Sequence, residues 1–275
     1  MTGTDPPPLP SLPPLPTIGP VTRRVPPGGA RREWQRALVL DIRDETAVAR
    51  TFRLQLDQPG RHLPGQHYVV RVTAGDGSQA ARSYSVASAP DETGRIELTV
   101  ERVADGDVSP YLHDEVKVGD RLELRGPFGG WFVWRGDQPT LLVGGGSGVV
   151  PLRAMLGHWR ATGRRLPLRL VVSVRTPRDL FYPDEYGAET SVLYSRQAPT
   201  EAGLTRTRPV GRLGPDDLRP VLAGCGLVGA DDPVSPGPGV AYVCGSAGFA
   251  EHASQLLVEL GVDPGRVRVE RFGPS

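Results

Sequence analysis

The pattern of apolar residues changes once along the chain, near Trp134, and this change constrains the fold more than any other feature. Before it, the sequence predicts short, often alternating strands separated by glycine, proline and aspartate, with one short helix near 110–115. These strands are expected over residues 37–42, 49–56, 67–72, 83–86, 95–103 and 120–124. Six such strands in about 90 residues predict an antiparallel six-stranded Greek-key β-barrel.

After Trp134, apolar strands alternate with helices. Residues 140–143 are apolar without alternation, which is typical of a parallel strand that is buried on both faces. A glycine-rich turn follows, and then a helix with apolar residues at positions 152, 155, 156 and 159. Further strands are expected over 168–174, 191–194 and 240–243, a surface loop over 224–239 and a helix over 247–260. We therefore predict a β-barrel domain at 31–136 and an α/β domain with a parallel sheet at 137–275.

Composition and charge bear on the N-terminal tail, on possible partners and on location. Residues 1–30 hold ten prolines and little apolar mass, so a disordered tail is expected there. The tail has no charged start followed by an apolar run, and no run approaches the roughly 20 apolar residues that span a bilayer. A net charge of +1 gives no reason to expect nucleic acid or a membrane as partner. A cytoplasmic monomer is the expectation.

The two cysteines and five histidines do not predict a metal centre. Cys225 and Cys244 are too few for a four-cysteine iron–sulfur cluster, and the histidines lack ligand spacing. We expect no bound metal. Cys225 is predicted to be a small buried residue, which is the usual state of a free cysteine.

A group of motifs in the predicted barrel suggests a flavin site. Arg82, Tyr84 and Ser85 offer a phosphate-binding cation, an aromatic ring on the same strand face and a hydroxyl for the flavin edge. Further on, Gly106, Val108 and Ser109 precede Pro110, which predicts a helix start with Ser109 as N-cap and free N–H groups for a pyrophosphate. Residues 126–129 predict a turn over the cofactor. Each motif alone usually has only a structural role, so the prediction depends on their combination.

A second group of motifs suggests a nicotinamide nucleotide site. Backbone can approach a pyrophosphate closely at the turn formed by Gly144, Gly145, Gly146, Ser147 and Gly148, and Pro151 fits the first turn of the helix that follows. The tips of the second and third strands carry Arg175, Ser195 and Arg196 instead of an acid, which favours a 2′-phosphate and hence NADP(H). Solvent-exposed arginine is the alternative explanation. Cys244, followed by Gly245, ends a later strand where a thiol could order the nicotinamide, unless it is simply a buried small residue.

Taken in order, these motifs resemble the ferredoxin–NADP reductase superfamily over about residues 34–275. The resemblance also includes Asp179, Leu180 and Tyr182 after Arg175, and a terminal Glu270-Arg-Phe272. The continuation at 129–134 is similar to short bacterial FAD-binding oxidoreductases, also labelled ferredoxin reductases, and this sequence shows no iron–sulfur domain.

The resemblance implies roles for individual residues. Arg82, Tyr84 and Ser85 match the family's flavin residues, and Gly106 with Ser109 matches its phosphate-binding helix start. In members that use NADP, arginines matching Arg175, Arg196 and Arg212 hold the 2′-phosphate. Glu270 matches an acid that contacts the serine near the flavin, and Phe272 matches an aromatic residue that covers the flavin face. Ser85, Cys244, Glu270 and Phe272 are thus the expected catalytic residues.

The expected activity is hydride transfer from NADPH, or NADH, to FAD, followed by electron transfer to a separate acceptor. That acceptor would be a ferredoxin, a flavodoxin, a partner oxidoreductase or a small molecule. Two alternatives stay open at this point: an NADH-preferring flavin or quinone reductase, and a non-enzymatic flavoprotein subunit that senses redox state.

Overall fold

The structure, a computed structural model, describes residues 33–73, 76–199, 209–228 and 238–273. The predicted disordered tail at 1–30 lies outside the described residues, as does much of the predicted loop at 224–239. The described residues belong to one compact unit. No helix in these ranges is long and apolar enough to cross a membrane.

The first sheet is a six-stranded antiparallel barrel. Its strands are joined in the order β4-β3-β6-β1-β2-β5. An antiparallel bridge between Val86 and Leu98 brings the end of β4 to β5, and the Ala87 N–H donates to the Glu97 carbonyl oxygen at 2.8 Å. The two edges therefore meet, and the predicted barrel is confirmed. Its elements are β1 (Gln35–Thr46), β2 (Ala49–Leu56), β3 (His67–Thr73), β4 (Gln79–Ser85), β5 (Arg95–Glu101), α1 (Ser109–Asp114) and β6 (Arg121–Phe128).

Alternation of side chains along the strands fills the barrel. Tyr68 and Val70 of β3 are fully buried, and the register pairs them with Tyr84 and Arg82 of β4. Paired residues on neighbouring strands point to the same face, so Arg82 and Tyr84 share a face with this core. Tyr84 is partly buried against it.

The second sheet is parallel, with helices packed on it. Its order is β11-β10-β7-β8-β9, and every neighbouring pair is parallel. The predicted α/β arrangement is thereby confirmed. Its elements are β7 (Thr140–Gly145), α2 (Val149–Ala161), β8 (Leu168–Val174), β9 (Thr190–Tyr194), α3 (Pro215–Leu222), β10 (Val240–Ser246), α4 (Ala247–Glu259) and β11 (Val267–Phe272).

Two elements of this sheet layer were not predicted. In β11, charged residues alternate with apolar ones, because the strand lies at the sheet edge beside β10 alone. Helix α3 is eight residues long and contains Pro220, a residue that disfavours a helix interior, although its buried Leu218 and Leu222 have helical spacing. The surface-loop prediction is wrong where the structure describes it: Cys225 ends a short 3-10 turn and is fully buried, with its thiol 3.3 Å from the Thr140 carbonyl oxygen.

One buried cluster joins the two sheets. Ala87, which follows β4, packs in the same cluster as Leu142 of β7 and Cys244 of β10. The ring of Phe132 meets that of Tyr242 edge-on at 5.2 Å between centroids. The end of the barrel strand that carries the flavin motif therefore lies against the parallel sheet.

Candidate functional site

The flavin motif occupies the last four residues of β4. Burial raises the pKa of the Tyr84 phenol to about 12, against the opposing charge of Arg82, so the ring stays neutral at physiological pH. A neutral, partly buried ring at a strand end suits contact with a flat heterocycle.

Ser85, the last residue of β4, is the least satisfied polar group of the motif. Its side chain is only 5% exposed, and its Oγ has no hydrogen-bond partner among the described residues. A buried hydroxyl without a partner costs about 1–3 kcal/mol, so such groups usually mark a missing ligand or water. The site therefore fits the predicted bond between Ser85 and the edge of a flavin.

Arg82 connects β4 to the segment that precedes α1. Its Nη2 lies 3.3 Å from Oδ2 of Asp107, and both side chains are exposed. The structure thus brings together the two predicted phosphate-binding segments, Arg82 and Gly106–Ser109. Asp107 was missed by sequence reasoning, although its place inside that segment was a usable signal.

The prediction that Ser109 caps α1 is wrong. Val108 holds the N-cap position without a side-chain bond, and Ser109 and Pro110 are the first two helical residues. The Ser109 hydroxyl accepts from the Val103 N–H at 3.0 Å instead, which closes the loop before the helix. A Cβ at Gly106 would lie 3.2 Å from that hydroxyl, so this glycine allows the loop to close tightly.

The turn predicted at 126–129 is also wrong in its first part, because β6 continues to Phe128. A Cβ at Gly126 would lie 2.7 Å from the ring of Tyr68. Only Gly129, with φ of +108°, leaves the strand. The glycine at 126 therefore makes room for a core side chain.

The glycine-rich turn connects β7 to α2 through a 3-10 turn at Gly146–Gly148. A Cβ at Gly148 would lie 2.2 Å from the Cys244 carbonyl oxygen, and one at Gly145 would lie 2.5 Å from the ring of Phe249. Close packing against β10 and α4 thus already requires these two glycines. Gly146, with φ of +55° and open space around it, is where a ligand can approach the backbone.

Phe249, in the first turn of α4, was not predicted. Its ring lies over both Gly145 and Gly245. Ser147 lies in the turn itself, and Pro151 is buried in the first turn of α2 as expected.

Cys244 lies between the two strands that flank β10. Its register neighbours are Gly144 of β7 and Glu270 of β11, and its side chain is fully buried. Burial raises the pKa of the thiol well above its usual range, and the charge of Glu270 adds to this effect. Phe272, paired with Ser246, packs against the cluster that contains Ala87 and Cys244. The cysteine is therefore a neutral thiol near the carboxyl end of β10.

The backbone segments that carry the predicted phosphate-binding arginines lie side by side at the tips of β8 and β9. The Arg196 N–H donates to the Arg175 carbonyl oxygen at 2.9 Å, and the Gly211 N–H donates to the Tyr194 carbonyl oxygen at 3.0 Å. These bonds place Arg175, Ser195, Arg196 and Arg212 at one edge. Arg175 is exposed and pairs with Asp179 at 3.2 Å. Within the described ranges, no three His, Cys, Asp or Glu residues form a metal-binding group.

Comparison with known proteins shows what this chain is similar to. Residues 38–133 match the oxidoreductase FAD-binding domain family. The chain is 29% identical to the ferredoxin–NAD(P)(+) reductase component of naphthalene 1,2-dioxygenase/salicylate 5-hydroxylase systems from Ralstonia sp., over 86% of this chain and 68% of the relative. It is 37% identical to the glycine betaine monooxygenase reductase subunit of Chromohalobacter salexigens, over 51% of this chain and 39% of that protein. The chain spans about half to two thirds of the first curated relatives it matches.

Solved structures agree on the fold. An Amycolatopsis cytochrome P450 reductase matches with a TM-score of 0.69 and 27% identity, over 88% of this chain and 70% of that one. The FAD/NAD-binding domain of nitric oxide dioxygenase from Vibrio cholerae matches with a TM-score of 0.68 and 24% identity, over 87% of this chain and 99% of that one. The predicted FAD cofactor is confirmed by the match of residues 38–133 to the FAD-binding domain family. Residues 38–133 thus match an oxidoreductase FAD-binding domain, and the chain as a whole is similar to reductase components and reductases.

Proposed function

We propose that this protein is the reductase component of a redox system, which takes hydride from NADPH onto FAD and passes electrons to a partner protein. The buried, unpartnered Ser85 hydroxyl carries this proposal, because it ends the strand that also holds Arg82 and Tyr84 in a domain of the FAD-binding family. The reductase components among its relatives support the same reading.

The residues of β4 would hold the flavin in three ways. FAD, when bound, supplies the capacity to accept a hydride and release electrons singly. The neutral ring of Tyr84 would cover one face, and Ser85 would bond the flavin edge. Arg82 would exchange its exposed contact with Asp107 for a phosphate, a change that costs little because exposed ion pairs are weak. Gly106, Val108 and Ser109 would line the phosphate side.

The carboxyl edge of the parallel sheet would hold the nucleotide. The open backbone at Gly146 supports contact with a pyrophosphate, and Arg175, Arg196 and Arg212 support a preference for the 2′-phosphate of NADPH. Cys244 would order the nicotinamide as a neutral thiol, with Glu270 beside it. Phe272 would occupy the flavin face until substrate displaces it.

The partner and the setting belong to the same proposal. The relatives named as parts of oxygenase systems favour a ferredoxin or an oxygenase component as electron acceptor. Two buried, unpaired cysteines fit a reducing compartment, and we propose a cytoplasmic location on that basis. A monomer is proposed as the working state of the protein. We also propose domain boundaries at 31–136 and 137–275, supported by a first sheet that ends at Phe128 and a second that begins at Thr140.

Anaerobic stopped-flow reduction of the FAD-reconstituted protein tests the proposal. NADPH should bleach the flavin rapidly, and Arg196→Ala should raise the Michaelis constant for NADPH by about 10- to 100-fold while leaving that for NADH nearly unchanged. Arg121→Ala, at an exposed pair with Asp57, is the matched control. Equal effects on both nucleotides would remove the 2′-phosphate assignment, and very slow bleaching by either would favour a redox sensor.

A further inference from the structure

The side chain of Arg153, at the start of the second turn of α2, joins the two sheets with all three of its nitrogens. Nη1 donates to Glu97 Oε2 of β5 at 2.6 Å and lies 3.2 Å from the carbonyl oxygen of Ala87. Nε and Nη2 each donate to a carboxylate oxygen of Glu185 at 2.6 Å. All three nitrogens of the arginine fork therefore donate, through four of its five N–H groups.

We propose that Arg153 is a positioning residue, which fixes the spacing between the flavin strand and the nucleotide turn and thereby the geometry of hydride transfer. This inference rests on the proposed function. Arg153 follows Gly148 by five residues along a continuous helix, and Ala87 follows Ser85 by two. The side chain thus connects, by short and ordered paths, the two backbone segments that would hold the reacting rings.

The ion pair between Arg153 and Glu97 is largely shielded from solvent. Its side chain is 14% exposed and that of Glu97 is 12% exposed. Burial alone would raise the pKa of the Glu97 carboxyl, but the charge and hydrogen bond of Arg153, together with the charges of Arg53 and Arg43, outweigh burial. The pKa therefore lies below its usual range. Removal of the guanidinium would leave a buried carboxylate that has lost its main partner, Arg53 being 3.4 Å away and half exposed.

Tyr182 also links Arg153 to the barrel. The guanidinium carbon of Arg153 lies 4.5 Å above its ring, and the buried phenol donates to Oγ1 of Thr99 on β5 at 2.6 Å. The backbone of Tyr182 has φ of +53°, a conformation that is rare for an aromatic residue and persists only where surrounding contacts impose it. The segment after β8 is thereby held against the barrel directly at Tyr182, and through Arg153 at Glu185.

Precise spacing matters because the transfer of hydride requires the two rings at near-attack distance. A displacement of about 1 Å caused by a change away from the reacting atoms can slow a reaction about a hundredfold. The partners of Arg153 are Glu97, Ala87, Glu185 and Tyr182, none of which is a predicted cofactor-binding residue. Loss of its side chain should therefore change the rate of transfer more than the binding of either cofactor.

The first measurement is hydride transfer at saturating NADPH, by anaerobic stopped flow on FAD-loaded protein. Arg153→Met should lower the rate constant at least about tenfold while the dissociation constant for NADPH changes less than about twofold. Arg153→Lys should recover only part of the rate, because an ammonium cannot bond both carboxylates in the same geometry. Glu185→Gln is a milder second variant with an intermediate expected effect. Arg121→Met, at the exposed pair with Asp57, is the matched control.

The second measurement does not depend on activity. Spin labels are attached at Val118→Cys, beside the barrel, and at Val258→Cys, on α4. These positions are 60% and 42% exposed, and the distance between the two labels reports the spacing between the barrel and the parallel sheet with its helices. The native cysteines are buried and should not take the label. Arg153→Met and Glu185→Gln should broaden the distance distribution, whereas Arg121→Met should not.

The outcomes separate this inference from the function on which it rests. If the unaltered protein is not reduced by either nucleotide, the proposed function fails, and the label distances alone decide whether Arg153 sets the spacing. Unchanged rates or unchanged distances in both variants overturn the inference. Loss of FAD or failure to fold in both variants also overturns it, because Arg153 would then act on cofactor retention or on stability.

Discussion

The end of β4 and the glycine-rich turn after β7 would hold the two halves of one reaction, but they are built in opposite ways. At the end of β4, the Ser85 hydroxyl is buried without a partner and Arg82 is exposed, so the side chains offer bonds that the protein does not itself use fully. At the glycine-rich turn, Gly145 and Gly148 are already in close contact with Phe249 and Cys244.

This difference shows how much a motif reveals about a ligand. Unsatisfied polar groups cost free energy in the empty protein, so their presence points to something that binds them. Glycines that are packed against other backbone stabilise the fold whether or not a ligand is present. The β4 motif is therefore the more direct sign of a cofactor, and at the glycine-rich turn only Gly146 has space for one.

The largest expected effect tests the packed state of the glycine-rich turn. Gly148→Ala should lower the free energy of unfolding by about 3 kcal/mol or more, because the new Cβ would lie 2.2 Å from the Cys244 carbonyl oxygen and backbone cannot move aside cheaply. Urea unfolding of the protein without nucleotide measures it.

Gly146→Ala is the matched comparison within the same turn. Its Cβ would meet nothing within 4 Å, so only the positive φ should matter, at about 1–2 kcal/mol. Equal losses at the two glycines would show that packing against β10 does not distinguish them.

The second prediction concerns Tyr84 at the opposite site. Tyr84→Ala should weaken FAD binding by about tenfold, because the ring that would contact the heterocycle is lost, whereas Tyr84→Phe should bind nearly as well as the unaltered protein. Flavin fluorescence titration gives the dissociation constants. Full retention of FAD by Tyr84→Ala after gel filtration would count against the stacking role.

Local sequence patterns predicted the strands whose own residues mark where they begin and end. Strands β2 and β8 have the predicted bounds because their apolar residues mark both ends. Strand β11 was missed because its charged residues suit an edge, and edges are decided by which strand lies next to which.

The site divides in the same way. The residues of the β4 motif were read correctly as neighbours because they are consecutive on one strand. Contacts between distant segments were not predicted: Asp107 with Arg82, Phe249 over Gly145, and Ser109 with Val103. Such contacts depend on tertiary packing, which also turned the expected cap at Ser109 into a loop-closing bond.

The third prediction tests whether the Ser85 hydroxyl is unsatisfied in the protein without cofactor. Ser85→Ala should leave the apoprotein equally stable or more stable by about 1 kcal/mol, because a buried hydroxyl without a partner is removed. Ser88→Ala should have the opposite sign, since the Ser88 hydroxyl accepts from the Glu97 N–H at 3.0 Å. Denaturant unfolding of both apoproteins decides this. A loss of stability in Ser85→Ala would mean that the hydroxyl is already satisfied.

The smallest expected effect is an absence of reaction at Cys244. Burial raises the pKa of Cys225 to about 11 and that of Cys244 well above its usual range, so at pH 8 both should be neutral thiols with little nucleophilic thiolate. A chromogenic disulfide reagent should therefore label neither cysteine in the folded protein and both in urea. If Cys244 reacts in the folded state and NADPH protects it, then the sheet edge beside the glycine-rich turn opens in solution, and the contrast between a packed and an unsatisfied site no longer holds.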